Sequence, residues 1–150
     1  TADPGNSLHT LLGFAELKEL VPLQPHGVLT TTEAYEASHE EELHRLTRGM
    51  IRASRALHDD FDTFRKVYEH HVTVSAPAES VRTIWQQERD TFGFAVNGEL
   101  TKRHWHDQME SFYQLNPDLP RITRNDVIAK KFVPKALADL GLHEGADQPD

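Results

Sequence analysis

Cysteine is missing from the 150-residue chain. This absence excludes disulfide bonds, thiolate metal sites and cysteine nucleophiles, but it indicates no particular compartment. Long apolar runs are missing too, since no stretch approaches the roughly 18 residues that a membrane-spanning helix needs. The N-terminal sequence has no basic start followed by an apolar core, and therefore shows no signal peptide.

Positive charge is scarce relative to negative charge. Lysine and arginine total 16 against 24 aspartates and glutamates, for a formal net charge of −8. A nucleic-acid partner requires a concentrated basic face, so this balance argues against one. The hydrophobic fraction of 37% is ordinary for a globular chain. We predict one domain over residues 1–142 and a polar, disordered tail over 143–150.

Apolar residues recur at helical spacing along most of the chain, which predicts six or seven helices. The predicted spans are 8–20, a short turn over 32–37, 38–59, 60–71, about 77–92, 102–115, 124–130, and a last one or two turns between Pro134 and Gly141.

The clearest helix is predicted over residues 38–59, where Ser38 and Glu41 have the spacing of a capping box. Its predicted inner stripe is Leu43, Leu46, Met50, Ala53 and Leu57. Its arginines fall largely off that stripe and are interpreted as a solvated face: Arg45, Arg48, Arg52 and Arg55.

A short β-branched run over residues 27–31 predicts one buried strand. A lone strand cannot satisfy its own backbone groups, so it needs partners. Residues 72–74 and 94–97 are the candidates for a second strand. Residues 94–113 are otherwise interpreted as an Asn97-Gly98 turn followed by an amphipathic helix capped by Thr101.

Ten histidines raise the possibility of a metal site. His104 and His106 would point about 200° apart on a helix, and the pairs His70/His71 and His39/His44 have no recognised ligand spacing either. Asp59, Asp60 and Asp62 lack the spacing of a calcium loop and indicate a helix N-terminus. No nucleophile elbow or phosphate-binding loop occurs. We therefore predict no catalytic residue, no metal and no cofactor.

Several loose motifs in a particular order resemble a known family. They are FAELKELVP at 14–22, GVLTTTEAY at 27–35, the helix within 42–60, Phe94, Asn97-Gly98, Trp105, Tyr113 and FVPKAL at 132–137. Together they resemble the C-terminal part of ABC-transporter solute-binding proteins of the nitrate/taurine/alkanesulfonate type, whose relatives bind thiamine pyrimidine precursors. The resemblance spans residues 14–142.

The resemblance implies an incomplete α/β periplasmic-binding-protein type II fold, predominantly helical, with one to three short strands. It implies a non-catalytic, extracytoplasmic solute-binding component of an importer, whose partners are a small organic solute and a membrane permease. The family's ligand contacts lie mainly upstream, so no ligand-binding residue is assigned. Residues 3–6 remain either a cleft-lining loop or a linker. An incomplete lobe exposes apolar surface, and we therefore expect a homodimer.

The alternative is a self-contained α-helical interaction or regulatory domain that forms a dimer. The segment 27–31 distinguishes the two, because solute binding requires it to pair in a sheet, whereas the helical domain leaves it as a loop.

Overall fold

The computed structural model describes residues 28–73, 76–90, 93–98 and 100–144, apart from the side chains at positions 103 and 104. Seven helices occupy these ranges: α1 Glu33–Ser38, α2 Glu40–Asp59, α3 Phe61–His71, α4 Ala78–Asp90, α5 Lys102–Leu115, α6 Arg124–Val127 and α7 Phe132–Leu140. The predicted helix over 8–20 and the loop over 3–6 lie outside the described residues.

The predicted α/β fold is wrong, because the described part of the chain is all-α and contains no strand. Residues 28–31 have no regular structure, and Val28 and Leu29 are 58% and 64% exposed instead of buried. Thr32 ends the run as the N-cap of α1, where its hydroxyl accepts a hydrogen bond from the Tyr35 amide at 3.2 Å. Strand propensity depends on context, and this β-branched run has no strand beside it within the described residues.

The other two strand candidates also fail within the described residues. Residues 94–97 form an irregular loop that ends in a turn, and 72–73 are an irregular link after α3. The turn at Asn97-Gly98 is confirmed: the Gly98 amide donates to the Ala95 carbonyl at 3.0 Å, and Gly98 has φ of 71°.

Helix α2 is central, since α7, α3 and α1 all pack against it, α7 most extensively. Its buried residues are His44 and Ile51. The predicted inner stripe is wrong, because Leu46 is 48% exposed and Met50 is 46% exposed. The buried face of α2 is the neighbouring one, which includes His44, Ile51 and Arg55 and packs against α7.

The capping predicted at the start of α2 is wrong, whereas the helix start predicted at the aspartate cluster before α3 is confirmed. Ser38 does not cap α2: its hydroxyl donates to the Ala34 carbonyl at 2.8 Å, and His39 is the N-cap without a side-chain bond. Asp60 does cap α3, accepting from the Asp62 amide at 2.9 Å, as the aspartate cluster predicts.

The last helix begins two residues before its predicted start at Pro134. Helix α7 begins at Phe132, and Pro134 lies in its first turn, where a missing amide proton costs no internal hydrogen bond. Gly141 ends the helix as predicted, with φ of 72°, and its amide donates to the Leu137 carbonyl at 2.8 Å. Helix α6 is shorter than predicted and ends at Val127.

The core joins these helices to the loop over residues 93–98. Trp85 of α4 donates its indole N–H to the Leu57 carbonyl at 2.8 Å and lies 5.4 Å from the Phe61 ring. Val81 and Trp85 are the buried residues of α4. Among the described residues, the buried apolar side chains are Ile51, Val81, Trp85, Val96, Tyr113, Phe132 and Ala136.

At the position of Gly98 the loop passes close to the contact between α2 and α7. A Cβ atom there would lie 3.0 Å from Val133 Cγ2 and 3.2 Å from Ile51 Cδ1. The positive φ and this close approach both require glycine.

We expect Gly98→Ala to reduce the free energy of unfolding by about 2 kcal/mol, because an L-residue is strained at positive φ and its methyl group would press on two core side chains. Urea unfolding measures the change. The matched control is Gly49→Ala on α2, where a Cβ has nothing within 4 Å and should stabilise the helix by about 0.5–1 kcal/mol. Equal effects at the two glycines would contradict this account of the loop.

Candidate functional site

The Arg55 guanidinium connects three parts of the chain. Its Nε donates to the Val96 carbonyl at 2.8 Å, and its Nη2 donates to the Gly141 carbonyl at 2.7 Å and to Asn97 Oδ1 at 3.1 Å. Its Nη1 reaches the Leu140 carbonyl at 3.3 Å. One planar group thus satisfies carbonyls of the 93–98 loop and of the C-terminal end of α7, where partial negative charge accumulates.

Asn97 continues this network and is fully buried, with 0% exposure. Its Oδ1 also accepts from the His143 amide at 2.8 Å, and its Nδ2 donates to the His143 carbonyl at 3.2 Å. Both polar atoms of the amide therefore have partners, as burial requires. This pair of hydrogen bonds fixes the backbone of His143 next to the C-terminal end of α2.

There the side chains of His58, Asp59 and His143 converge. His58 Nδ1 lies 2.7 Å from Asp59 Oδ1, and His143 Nε2 lies 2.9 Å from the same oxygen. The two imidazole rings are 5.0 Å apart in an edge-to-face arrangement, and Phe94 packs 5.9 Å from His58. We call these three residues the His–Asp–His cluster.

Charge in this cluster is concentrated on Asp59. Burial by itself raises the pKa of Asp59, but the hydrogen bonds from His58 and His143 together outweigh it and lower the pKa below its ordinary value. The Asp59 side chain remains 53% exposed, whereas those of His58 and His143 are 20% and 18% exposed. The cluster is thus a solvent-accessible carboxylate flanked by two largely buried rings.

A second feature is an apolar groove between α5 and the segment that follows it. The Tyr113 hydroxyl donates to the Pro120 carbonyl at 3.1 Å and accepts from the Ile122 amide at 2.8 Å, which folds the segment back along the helix. The hollow has a volume of about 440 Å³. Its lining is Gln108, Met109, Phe112, Tyr113, Leu119, Pro120 and Ile122. We call it the α5 groove.

The histidine pairs considered from spacing alone do not form a common site. The rings of His70 and His71 lie 4.7 Å apart at the exposed end of α3, and His106 is exposed. His39 stacks on Tyr35 with ring centroids 4.0 Å apart. The His104 side chain lies outside the described residues.

His44 is the buried histidine of α2, with 5% exposure. Its Nε2 lies 3.5 Å from Asp139 Oδ2, to which Arg48 donates at 3.0 Å. These contacts join α2 to α7, and His44 does not belong to the possible metal-binding group found among the described residues.

Two functional residues were missed from the sequence. Arg55 was assigned to a solvated face, which is wrong because its guanidinium binds four acceptors. His143 was assigned to the tail, yet it packs against Asp59, a residue 84 positions earlier. No local spacing could connect residues so far apart. The adjacent pair His58-Asp59 at a helix end was the available signal.

Comparison with known proteins gave no match: no family model, no curated protein and no solved structure is similar to this chain. In the described part of the chain, none of the helices combines the length and the apolar character needed to cross a bilayer.

The network around Asn97 predicts a large stability cost for Asn97→Ala. The substitution removes three hydrogen bonds and leaves the amide and carbonyl of His143 without their partner, so we expect a loss of about 3 kcal/mol in the free energy of unfolding. The matched control is Asn116→Ala, which removes one bond to the Phe112 carbonyl at the end of α5 and should cost less than about 1 kcal/mol. Chemical unfolding of the two variants compares them, and similar costs would refute the network's role.

Proposed function

We propose that this chain is a helical interaction domain that self-associates through the α5 groove. The observation that carries the proposal is the exposure of large apolar side chains along one side of α5 and the segment after it. Phe112, Leu119 and Ile122 are 43%, 48% and 46% exposed, and Leu115 is 83% exposed. Contiguous apolar surface of this kind typically marks an interaction site.

The position of α5 in the fold supports the same proposal. The extensive helix pairs among the described residues join α1, α2, α3, α4 and α7, and none of them includes α5. One face of α5 is anchored by the buried Tyr113, while Phe112 and Leu115 point away from the core. Within the described ranges no helix packs extensively on this outer face, which can therefore receive a partner helix.

A second copy of the chain fits the groove because the surface contains both a hollow and a projection. Leu115 is exposed at the end of α5, three residues after Phe112, which lines the hollow with Met109 and Ile122. In a two-fold contact the same patch faces itself, so each Leu115 can enter the hollow of the other copy.

The edge of the groove contains an ion pair. Two copies with a net charge of −8 each repel one another at long range. At the edge of the groove, Arg121 lies 3.5 Å from Glu110 and 5.0 Å above the Tyr113 ring, so opposite charges are balanced locally. This ion pair adds no net charge to the edge of the groove.

The solute-binding function stays a prediction, since no comparison tests it. It rested on a sheet that included residues 27–31, and the described part of that segment forms no strand. A helical interaction domain requires no sheet, and we favour it for that reason.

Sedimentation velocity across low to high micromolar concentration tests self-association. We expect the 17.1 kDa chain to form a concentration-dependent dimer and Leu115→Lys to remain a monomer, because lysine would bury a charge in the apolar contact. Lysine at the end of α5 suits the helix dipole, so the fold should persist.

The control is Leu46→Lys, which places the same charge on an apolar residue of α2 that is 48% exposed. This variant should dimerise as the unmodified chain does. A strictly monomeric unmodified chain would contradict the proposal, and so would a dimer that Leu115→Lys leaves unchanged.

A further inference from the structure

The His–Asp–His cluster has the composition and geometry of a metal-binding site. Each of its residues offers one ligand atom, and the three atoms lie within 4.8 Å of one another. Two imidazole nitrogens and one carboxylate oxygen are a ligand set that zinc and related divalent transition metals accept. We propose that His58, Asp59 and His143 bind a divalent transition-metal ion of the Zn²⁺ type. The proposal is independent of self-association through the α5 groove.

The nitrogen that each ring offers is defined by its surroundings. His58 presents Nδ1 to Asp59 Oδ1, and His143 presents Nε2 to the same oxygen. His143 Nδ1 is buried without a hydrogen-bond partner, so an ion arriving from solvent reaches Nε2. The three donors are therefore His58 Nδ1, an oxygen of Asp59 and His143 Nε2.

The two distances from Asp59 Oδ1 to the ring nitrogens are close to those between ligand atoms around a bound ion. With metal–ligand bonds of about 2.0–2.1 Å in a tetrahedron, neighbouring ligand atoms lie about 3.3 Å apart. The nitrogens now lie 2.7 and 2.9 Å from Asp59 Oδ1. Asp59 must withdraw by about half an ångström, which its 53% exposed side chain can do by rotation.

The backbone holds the two rings in position before any ion binds. His58 is fixed by α2, and His143 is fixed by its two backbone hydrogen bonds to the buried Asn97. Preorganised ligands reduce the ordering cost of binding. The exposed carboxylate gives the entry path, and three protein ligands leave a fourth position for water.

Binding would also stabilise the fold. The ligands come from positions 84 residues apart in sequence, so a bound ion would link the C-terminal segment to α2. The unfolded chain does not hold these groups together, and an ion that binds the folded state preferentially raises its stability. Without an ion, the same residues form a hydrogen-bonded link, which is the alternative that the experiment must exclude.

The experiment uses the full chain without a histidine tag, titrated with Zn²⁺ and separately with Mg²⁺ by calorimetry. We expect one Zn²⁺ site and no Mg²⁺ response, because Mg²⁺ prefers all-oxygen ligands. Zn²⁺ at about 100 times its dissociation constant should raise Tm by about 5–10 °C. Affinity should fall in acid, since protons compete for the ligands.

His143→Ala and Asp59→Ala each remove a ligand and should weaken this site by more than the roughly 10–100-fold that supporting residues contribute. The matched control is His71→Ala, which removes an exposed histidine at the end of α3 and should leave the site intact. Equal Zn²⁺ affinity in the cluster variants and the control would overturn the proposal, as would no Zn²⁺ binding by the unmodified chain.

A measurement on the unmodified chain avoids dependence on variants that fail to fold. The side-chain NMR signals of His58 and His143 should shift together on addition of one equivalent of Zn²⁺, while those of His71 stay in place. Co²⁺ in place of Zn²⁺ should give visible absorption typical of low coordination number. Shifts confined to exposed histidines would refute the site even if every cluster variant unfolded.

Discussion

The rest of this structure depends on the hydrogen bonds of the Arg55 guanidinium. Four acceptors on two remote segments meet at one planar cation: three backbone carbonyls and the Asn97 side chain. A planar group with five fixed donors suits such a convergence, and a lysine could not reproduce it. The end of α7, the 93–98 loop and the His–Asp–His cluster are placed by this arrangement.

The opposite end of the contact between α2 and α7 is held differently. Lys131 precedes α7 and lies 2.8 Å from Glu40 and 3.2 Å from Glu36. Hydrogen bonds to those carboxylates raise the pKa of Lys131, and Lys131 in turn lowers the pKa of Glu40. Lys131 and Glu40 are exposed and Glu36 is partly exposed, so these ion pairs contribute little to stability. The half-buried end at Arg55 therefore dominates, with a small apolar core around Ile51 between the two ends.

Local signals in the sequence predicted the parts of the fold that local chemistry determines. Asp60 caps α3 and Gly141 ends α7 because each residue type suits the backbone at its own position. The Asn97-Gly98 turn follows from the tolerance of Gly98 for positive φ. The full burial of the Asn97 side-chain amide could not be predicted locally, because its hydrogen-bond partners are the distant Arg55 and His143.

Features that depend on distant partners could not be predicted in the same way. Residues 28–31 have strand propensity but no strand beside them in the described part of the chain. Arg55 lies beside the predicted apolar stripe of α2. Periodicity cannot show that its hydrogen-bond acceptors belong to residues 41 and more positions later. The cluster at Asp59 could not be predicted for the same reason, since its contact with His143 joins residues 84 positions apart in sequence.

Hydrogen exchange at the His143 amide is the most direct test of the central claim that Arg55 and Asn97 fix the C-terminal segment on α2. That amide donates to the buried Asn97 Oδ1 at 2.8 Å. Our account predicts strong protection in the unmodified chain and its loss in Arg55→Lys, with helical amides in the middle of α4 still protected. Exchange of the His143 amide in the unmodified chain at the rate of an unprotected, unstructured peptide would contradict this account.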